Sequence, residues 1–276
     1  MKIKDSFYYT PFQLLEKKKV SFADYSKNKN YYTQLAALFE DASSRSPHTQ
    51  KEISFILNLC KKLHINNPIF LDAACGTGRH ARILSKKGHP VYGIDSSLEL
   101  LTVARKKDFL TKYIKADLRT FTIARKFDCI FSLWEAYTYL STKRDLVLFL
   151  TRCFHQLNPN GILILDSRNF WKKGISKSKI QSRNFKSGKF DIDLLMNKRT
   201  LLDKKVHDAL FIYFIRSKKG LQRVVVDQEL IRIWSAAEIS KIAEGKFKLI
   251  NIYGNFDGSA YRKYHSDRMI FVFKKK

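Results

Sequence analysis

The sequence predicts an alternating α/β fold: a doubly wound, mostly parallel seven-stranded sheet with an inserted antiparallel β cap. Three observations carry this reading. Residues 69–166 hold five apolar runs separated by helical patterns and turns. The first three runs end at or next to a carboxylate: Asp72, Asp95 and Asp117. Beyond Arg168 the alternation stops, and three extended runs precede one more helix and two closing strands.

In chain order, residues 1–30 are polar, basic and aromatic (Phe7, Tyr8, Tyr9, Phe12, Phe22, Tyr25), the composition of a lid or a docking arm. Residues 31–41 read as a short helix, and residues 51–63 as a second one leading into the first strand. Residues 69–71 form a short apolar run ending at Asp72. A loop of small residues follows (Ala73, Ala74, Gly76, Gly78), then an amphipathic helix with Ala81 and Leu84 on one face. Small residues after a strand let a ligand approach the backbone, and a helix start offers unpaired N–H donors. The phosphate-loop reading fails because no Gly-Lys-Ser/Thr follows, and the third glycine of the nicotinamide fingerprint is Ala81 here.

The second strand runs from Pro90 to Asp95, an acid placed to grip a ribose diol in a doubly wound fold. Ser96-Ser-Leu-Glu99 reads as a capping box opening a helix. Strand three lies around Tyr113 and leads to Asp117, strand four begins at Phe127, and strand five follows Asn158-Pro-Asn-Gly161 and ends at Asp166. The ligand crevice is expected at the carboxyl edge of this sheet. Within residues 168–234, the segments 190–195, 206–216 and 223–234 read as extended, an antiparallel cap over the crevice. Ser235-Ala-Ala-Glu238 is a second capping box, and residues 247–253 and 268–273 are two closing strands. The expected organisation is an arm and lid helices over 1–50, the core over 51–167, the cap over 168–234, and the closing helix and strands over 235–276.

Composition limits the function classes. The net charge is +27, with 52 Lys and Arg against 25 Asp and Glu. Nucleic acid is one partner that would explain it. A lysine-rich solvated surface is the reading we favour, because the basic residues are scattered from Lys2 to Lys276 without a dense arginine block. No apolar run approaches 18 residues, so no membrane partner is expected. The start lacks the apolar segment of a signal peptide. Cys60, Cys75, Cys129 and Cys153 have no metal or redox spacing, and free thiols in a cytoplasmic chain without a metal are the simplest account.

Asp72-x-Ala74-x-Gly76-x-Gly78, Asp95, Ala116-Asp117-Leu118, Phe127-Asp128 and Asn158-Pro-Asn-Gly161 together resemble the ordered motifs of class I S-adenosylmethionine-dependent methyltransferases. The resemblance covers residues 65–170 well and the rest loosely, and it implies the Rossmann-like form of the sheet. Ala74 departs from it at the first glycine position. The resemblance implies S-adenosylmethionine as cofactor. Asp72 and the loop Ala74, Cys75, Gly76 and Gly78 would hold its methionine portion, Asp95 its ribose hydroxyls, and Asp117 with Leu118 its adenine, with Ser96 and Leu133 as further cofactor-binding residues. Residues 32–41 resemble the cofactor-covering helix of small-molecule methyltransferases, with Thr33 and Phe39 in place of the usual Asp and Tyr.

Substrate groups are expected after strands four and five. Asp166-Ser-Arg168-Asn169-Phe170 resembles the corresponding run of glycine N-methyltransferases and related amine methyltransferases, where the arginine faces a substrate carboxylate. Glu135 replaces the usual Asn, which suits a cationic amine or a base that frees its lone pair. Arg168 pairing with Glu135 or Asp166 merely to order the loop is the structural alternative. Trp134, Tyr137 and Tyr139 would box a methylammonium group or pack as core. Glu135, Tyr139 and Arg168 are therefore the candidate catalytic set. The expected activity is methyl transfer to a small molecule, an amine, in a capped pocket. The alternative is an RNA methyltransferase using the basic surface. Against it, Pro11, Pro47, Pro68, Pro90 and Pro159 are never adjacent, so the Pro-Pro-aromatic motif for exocyclic base amines is missing, and so is a Pro-Cys nucleophile.

Overall fold

The computed structural model describes residues 48–173, 178–218 and 220–276; the expected arm and the helix over residues 31–41 lie outside them. Helix α1 (Thr49–Lys62) precedes β1 (Phe70–Ala73), α2 (Arg79–Lys86), β2 (Val91–Asp95), α3 (Leu98–Lys107), β3 (Lys112–Lys115) and β4 (Phe127–Ser132). A 3-10 turn (Ala136–Tyr139), α4 (Lys143–Gln156) and β5 (Leu157–Arg168) complete the alternating half. Then come β6 (Ser178–Ser187), β7 (Phe190–Leu201), β8 (Val206–Ser217), β9 (Gly220–Arg232), α5 (Ala236–Ala243), β10 (Phe247–Tyr253) and β11 (Arg268–Lys275).

The main sheet has seven strands in the order β10-β11-β5-β4-β1-β2-β3. Its pairings from β3 to β5 are parallel, and β11 runs antiparallel to both β5 and β10. This is the mixed, Rossmann-like sheet expected from the carboxylate-terminated strands. β1 is buried along its whole length, as a central parallel strand covered on both faces must be. One apolar cluster joins the sheet to α1, α2 and α3, and a second joins its other face to α4 and α5. α1 shows the cause in its spacing: Ile53, Ile56, Leu59 and Cys60 are buried on one side, with Glu52 in the first turn and Lys61 and Lys62 in the last.

Ser235 caps α5 in the expected reciprocal box with Glu238. The box expected at Ser96 is displaced by one residue. Ser97 caps α3, its side chain accepting from Leu100 N–H, because the Asp95 carboxylate accepts the Ser97 N–H and carries the turn one residue further. The cap is a four-stranded antiparallel sheet, β6-β7-β8-β9, rather than three extended runs. The strand missed by the pattern, β6, lies at a sheet edge. Its sequence, Ser-Lys-Ile-Gln-Ser-Arg-Asn-Phe-Lys-Ser, is polar on both faces and shows no alternation to detect. Ile192, Leu194, Met196, Tyr213 and Ile215 make the apolar core of the cap. No helix among the described residues is long and apolar enough to cross a membrane, and all four cysteines are buried and free.

Candidate active site

The loop after β1 is shaped by glycine and by one acid from the neighbouring strand. Ala74, Gly76 and Gly78 all have positive φ, at 67°, 56° and 73°. Nothing lies within 4 Å of where a Cβ on Gly76 would stand, so the backbone there faces open space. A Cβ on Gly78 would instead collide with the Tyr113 hydroxyl. Asp95, at the end of β2, accepts Gly76 N–H through Oδ2 and Ser97 N–H through Oδ1, both at 2.9 Å. Burial raises its carboxyl above the usual range, and the Ser97, Gly76 and Ser96 amides oppose that.

Asp72 is buried on β1, and its Oδ2 is without a hydrogen-bond partner. Burial pushes its carboxyl up to about 8 against the pull of Arg79. A buried carboxyl oxygen without a partner is costly unless a donor or cation reaches it. Helix α2 starts directly after Gly78 with no side-chain cap from that residue, and the Ala81 amide of its first turn bonds Asp72. Cys75 and Leu133 are buried beside this loop in the same apolar cluster. Ser96 is exposed, and Asp117 is held by its neighbour, accepting from Arg119 N, Nε and Nη2. That pairing keeps the Asp117 carboxyl below its ordinary range.

At the ends of β4 and β5 the backbone is tightly constrained. Trp134 and Glu135 are consecutive non-glycine residues with φ of 56° and 65°, a conformation that costs about 1–3 kcal/mol per residue unless surrounding contacts enforce it. Asp166 supplies those contacts: its Oδ2 accepts Trp134 N–H at 2.9 Å, and its carbonyl accepts Glu135 N–H at 3.1 Å. Arg268, the first residue of β11, grips Asp166 with two bonds of 2.5 and 2.6 Å and reaches Glu135 Oε1 at 3.3 Å. Burial would raise the Glu135 carboxyl, but Arg268 and then Arg168 outweigh it and hold it below the usual range.

The candidate arginine, Arg168, makes the longer of the two ion pairs to Glu135 and lies 5.6 Å from the Phe170 ring centre. Arg168 gives its backbone N–H to Glu135 at 3.0 Å, while its guanidinium stands 3.9 Å away and is 41% exposed; that of Arg268 is 15% exposed. Tyr139 gives its hydroxyl to Glu229 of the cap at 2.7 Å, and Tyr137 is core, bonded to Ser167 at 2.9 Å. Trp134 is not an open aromatic face: the Arg79 and Arg268 guanidiniums lie 4.5 and 5.6 Å from its ring centre. Its indole N–H is held by Glu52 on α1. A cavity of about 1450 Å³ opens beside this cluster, lined by Trp134, Arg168 and Arg268 and by Lys51, Lys61 and Lys173.

Sequence reasoning gave no role to Arg268, although the run Arg268-Met-Ile-Phe-Val resembles the tail of the amine methyltransferases, and it missed Glu52; both act on residues far away in the chain. The faint signal for Arg268 was its place at the head of a closing strand that must pair with the end of β5.

Residues 70–161 match the protein family described as "Methyltransferase domain". The putative methyltransferase YqeM of Bacillus subtilis (strain 168) is 31% identical over 145 residues, 51% of this chain and 57% of that protein. The glycine/sarcosine N-methyltransferase of Halorhodospira halochloris is 36% identical over 106 residues, 36% of this chain and 40% of that protein. The chain therefore spans about half the length of the curated relatives it matches. Among solved structures, an S-adenosylmethionine-dependent methyltransferase from Clostridium acetobutylicum ATCC 824 superimposes with a TM-score of 0.74 at 19% identity, covering 89% of this chain and 99% of that one. The glycine-turned loop, Asp72 and Asp95 thus lie within a stretch that matches a methyltransferase domain, on a fold shared with a solved S-adenosylmethionine-dependent methyltransferase.

Proposed function

We propose that this protein transfers the methyl group of S-adenosylmethionine to a small-molecule amine held between the core and the cap. The observation that carries the proposal is the Arg168 guanidinium, 41% exposed and paired to Glu135 only at 3.9 Å. It stands at the end of β5, beside Glu135 and under the cap, while Arg268 takes the structural pairing. A guanidinium in that state is suited to an acidic group on the acceptor. The cap is stitched to the core by the Tyr139–Glu229 bond, by Phe170 packed 4.7 Å from the His207 ring, and by Lys205 bonded to Glu238 at 2.8 Å. Such closure suits a small acceptor from which water must be excluded.

In this reading Asp72 and the Ala74–Gly78 loop hold the methionine portion, with the open space over Gly76 admitting it to the backbone. Asp95 takes the ribose hydroxyls with the lone pairs its two amide bonds leave free. The reaction supplied by the cofactor is an in-line displacement at a sulfonium methyl. The protein's part is to orient the acceptor nitrogen, keep it unprotonated and exclude water. The sequence relationship to a glycine/sarcosine N-methyltransferase supports an amine acceptor.

A second reading, an RNA acceptor, is favoured by the lysines lining the cavity along α1 and by the net charge. Incubating the protein with methyl-labelled S-adenosylmethionine and fractionated cell extract separates the two. Label in the small-molecule filtrate is the expected result; label in the RNA fraction would overturn the small-molecule reading.

A further inference from the structure

The cap carries two carboxylates that the site as described leaves unused. Asp227 and Glu229 lie two residues apart on β9 and so point to the same side of its sheet. Their register partners on β8 are Phe211 and Ala209, on the face that also presents Met196 and Tyr213. Glu229 is the one that reaches the core, through the 2.7 Å bond that Tyr139 donates to its Oε1. The charged groups around it come from every element packed there: Glu135 after β4, Arg168 at the end of β5, Lys198 on β7, and Asp227 on its own strand. His207 on β8 faces Arg168, Lys198 and Glu135 in turn.

Glu135 is badly placed to act as a base. Its Oε1 accepts both Arg168 N–H and Arg268 Nη2, and its charge answers Arg268. Glu229 has no such counter-ion at bonding distance among the described residues; it accepts from a neutral hydroxyl instead. We propose that Glu229 is the acceptor-facing carboxylate of the site, holding the ammonium form of the amine against the cap and taking its proton before methyl transfer. This rests on the amine reading above. Burial raises the Glu229 carboxyl, with the Tyr139 bond opposing, which makes it a stronger base than Glu135. Asp227, pushed up to about 7 by burial, stands behind it.

The step balances without any further reagent. The ammonium gives one proton to the Glu229 carboxylate and keeps the lone pair on nitrogen. That pair forms the new N–C bond to the sulfonium methyl as the C–S bond breaks. The broken bond's electrons remain on sulfur, giving a neutral thioether, and the acceptor leaves as a methylated ammonium. Glu229 then returns its proton to solvent at the Tyr139 edge, which is half-exposed.

Glu229→Gln keeps an oxygen able to accept from Tyr139, so the tie between cap and core survives while the charge is lost. Methylammonium chloride is titrated calorimetrically into the wild type and E229Q, each saturated with S-adenosylhomocysteine, and S-adenosylmethionine binding is measured in parallel. The expected result is methylammonium binding about tenfold weaker in E229Q, with cofactor affinity unchanged. Carboxyl-carbon NMR should show Glu229 titrating above Glu135, and Tyr139→Phe should move it higher still. Equal methylammonium affinity in both proteins, no binding to either, or Glu229 titrating at or below Glu135 would overturn the proposal. Failure of the wild type to bind S-adenosylmethionine is a different result, and it would overturn the methyltransferase reading beneath.

Discussion

Glu52 on α1 and His80 on α2 meet at 2.5 Å in the protein interior, and the other oxygen of the same carboxylate accepts the Trp134 indole N–H at 2.9 Å. One side chain thus ties the helix before the first strand to the helix of the cofactor loop and to the strained turn after β4. Arg79 adds to the cluster, 3.7 Å from Glu52 and bonded to Thr49 at 2.8 Å.

This pair makes stability depend on pH in a definite direction. Burial, with Arg79, pushes His80 down to about 4, against the pull of Glu52. Burial would raise Glu52, but His80 and Arg79 outweigh it and lower its carboxyl. Both folded values lie below the unfolded ones, so the His80 contribution is present above about pH 6.5 and lost as pH falls toward 4, while that of Glu52 is lost only below the ordinary carboxylate range. His207, held at about 4 by burial and by Arg168, acts the same way. Thermal unfolding between pH 7.5 and 4.5 should show a falling Tm, with a shallower slope in His80→Gln. An identical slope in the variant would show that this pair does not titrate on unfolding.

Asp72 has the opposite sign. Its folded carboxyl is raised to about 8, so the stability linked to its proton is full below about pH 4 and is lost as pH rises through 8. Asp72→Asn should therefore raise the Tm of the free protein at pH 8.5 relative to wild type. The same change should weaken S-adenosylmethionine binding by about tenfold, since a charge-assisted contact is lost. A variant that binds the cofactor normally would remove Asp72 from the site.

Asp95→Ala is expected to abolish measurable S-adenosylmethionine binding by calorimetry while leaving a folded chain by circular dichroism. The loss has two sources: the ribose grip, and the Gly76 and Ser97 amides that shape the loop. Retained binding would sink the ribose assignment.

Arg268→Met would leave Asp166 and Glu135 buried without their shared cation. Breaking one partner out of a buried ionic cluster costs about 3–5 kcal/mol, which urea unfolding should detect. Adding Asp166→Asn should recover part of that loss, because the uncompensated charge goes with it. No recovery in the double variant would mean that packing, not charge, sets the cost.

Much of the core was legible because its rules are local. A run such as Phe70-Leu71 bounded by small residues has one reading as a strand, and Ser235 with Glu238 is a helix start wherever it occurs. The site was legible only in part. Asp72, Asp95 and the glycines sit in one contiguous stretch and its next strand, so spacing alone brings them together. The Arg268–Asp166 bond joins residues 102 apart, and Trp134–Glu52 residues 82 apart. Nothing near any of them in sequence records the partner. The displaced cap at Ser97 fails for a related reason: the competing acceptor is Asp95, which belongs to the strand before it. β6 was invisible because edge strands need no apolar face of their own.

The antiparallel pairing of β5 with β11 also fixes an order of assembly. Asp166 and Glu135 leave the ribosome about a hundred residues before the arginine that neutralises them. A nascent chain stopped short of β11 would hold Asp166 and Glu135 without the cation they share, so the carboxylate that supports the turn at Trp134 and Glu135 lacks its main counter-ion until that strand docks. Closure of the sheet and completion of the Arg268–Asp166–Glu135 cluster are then a single event.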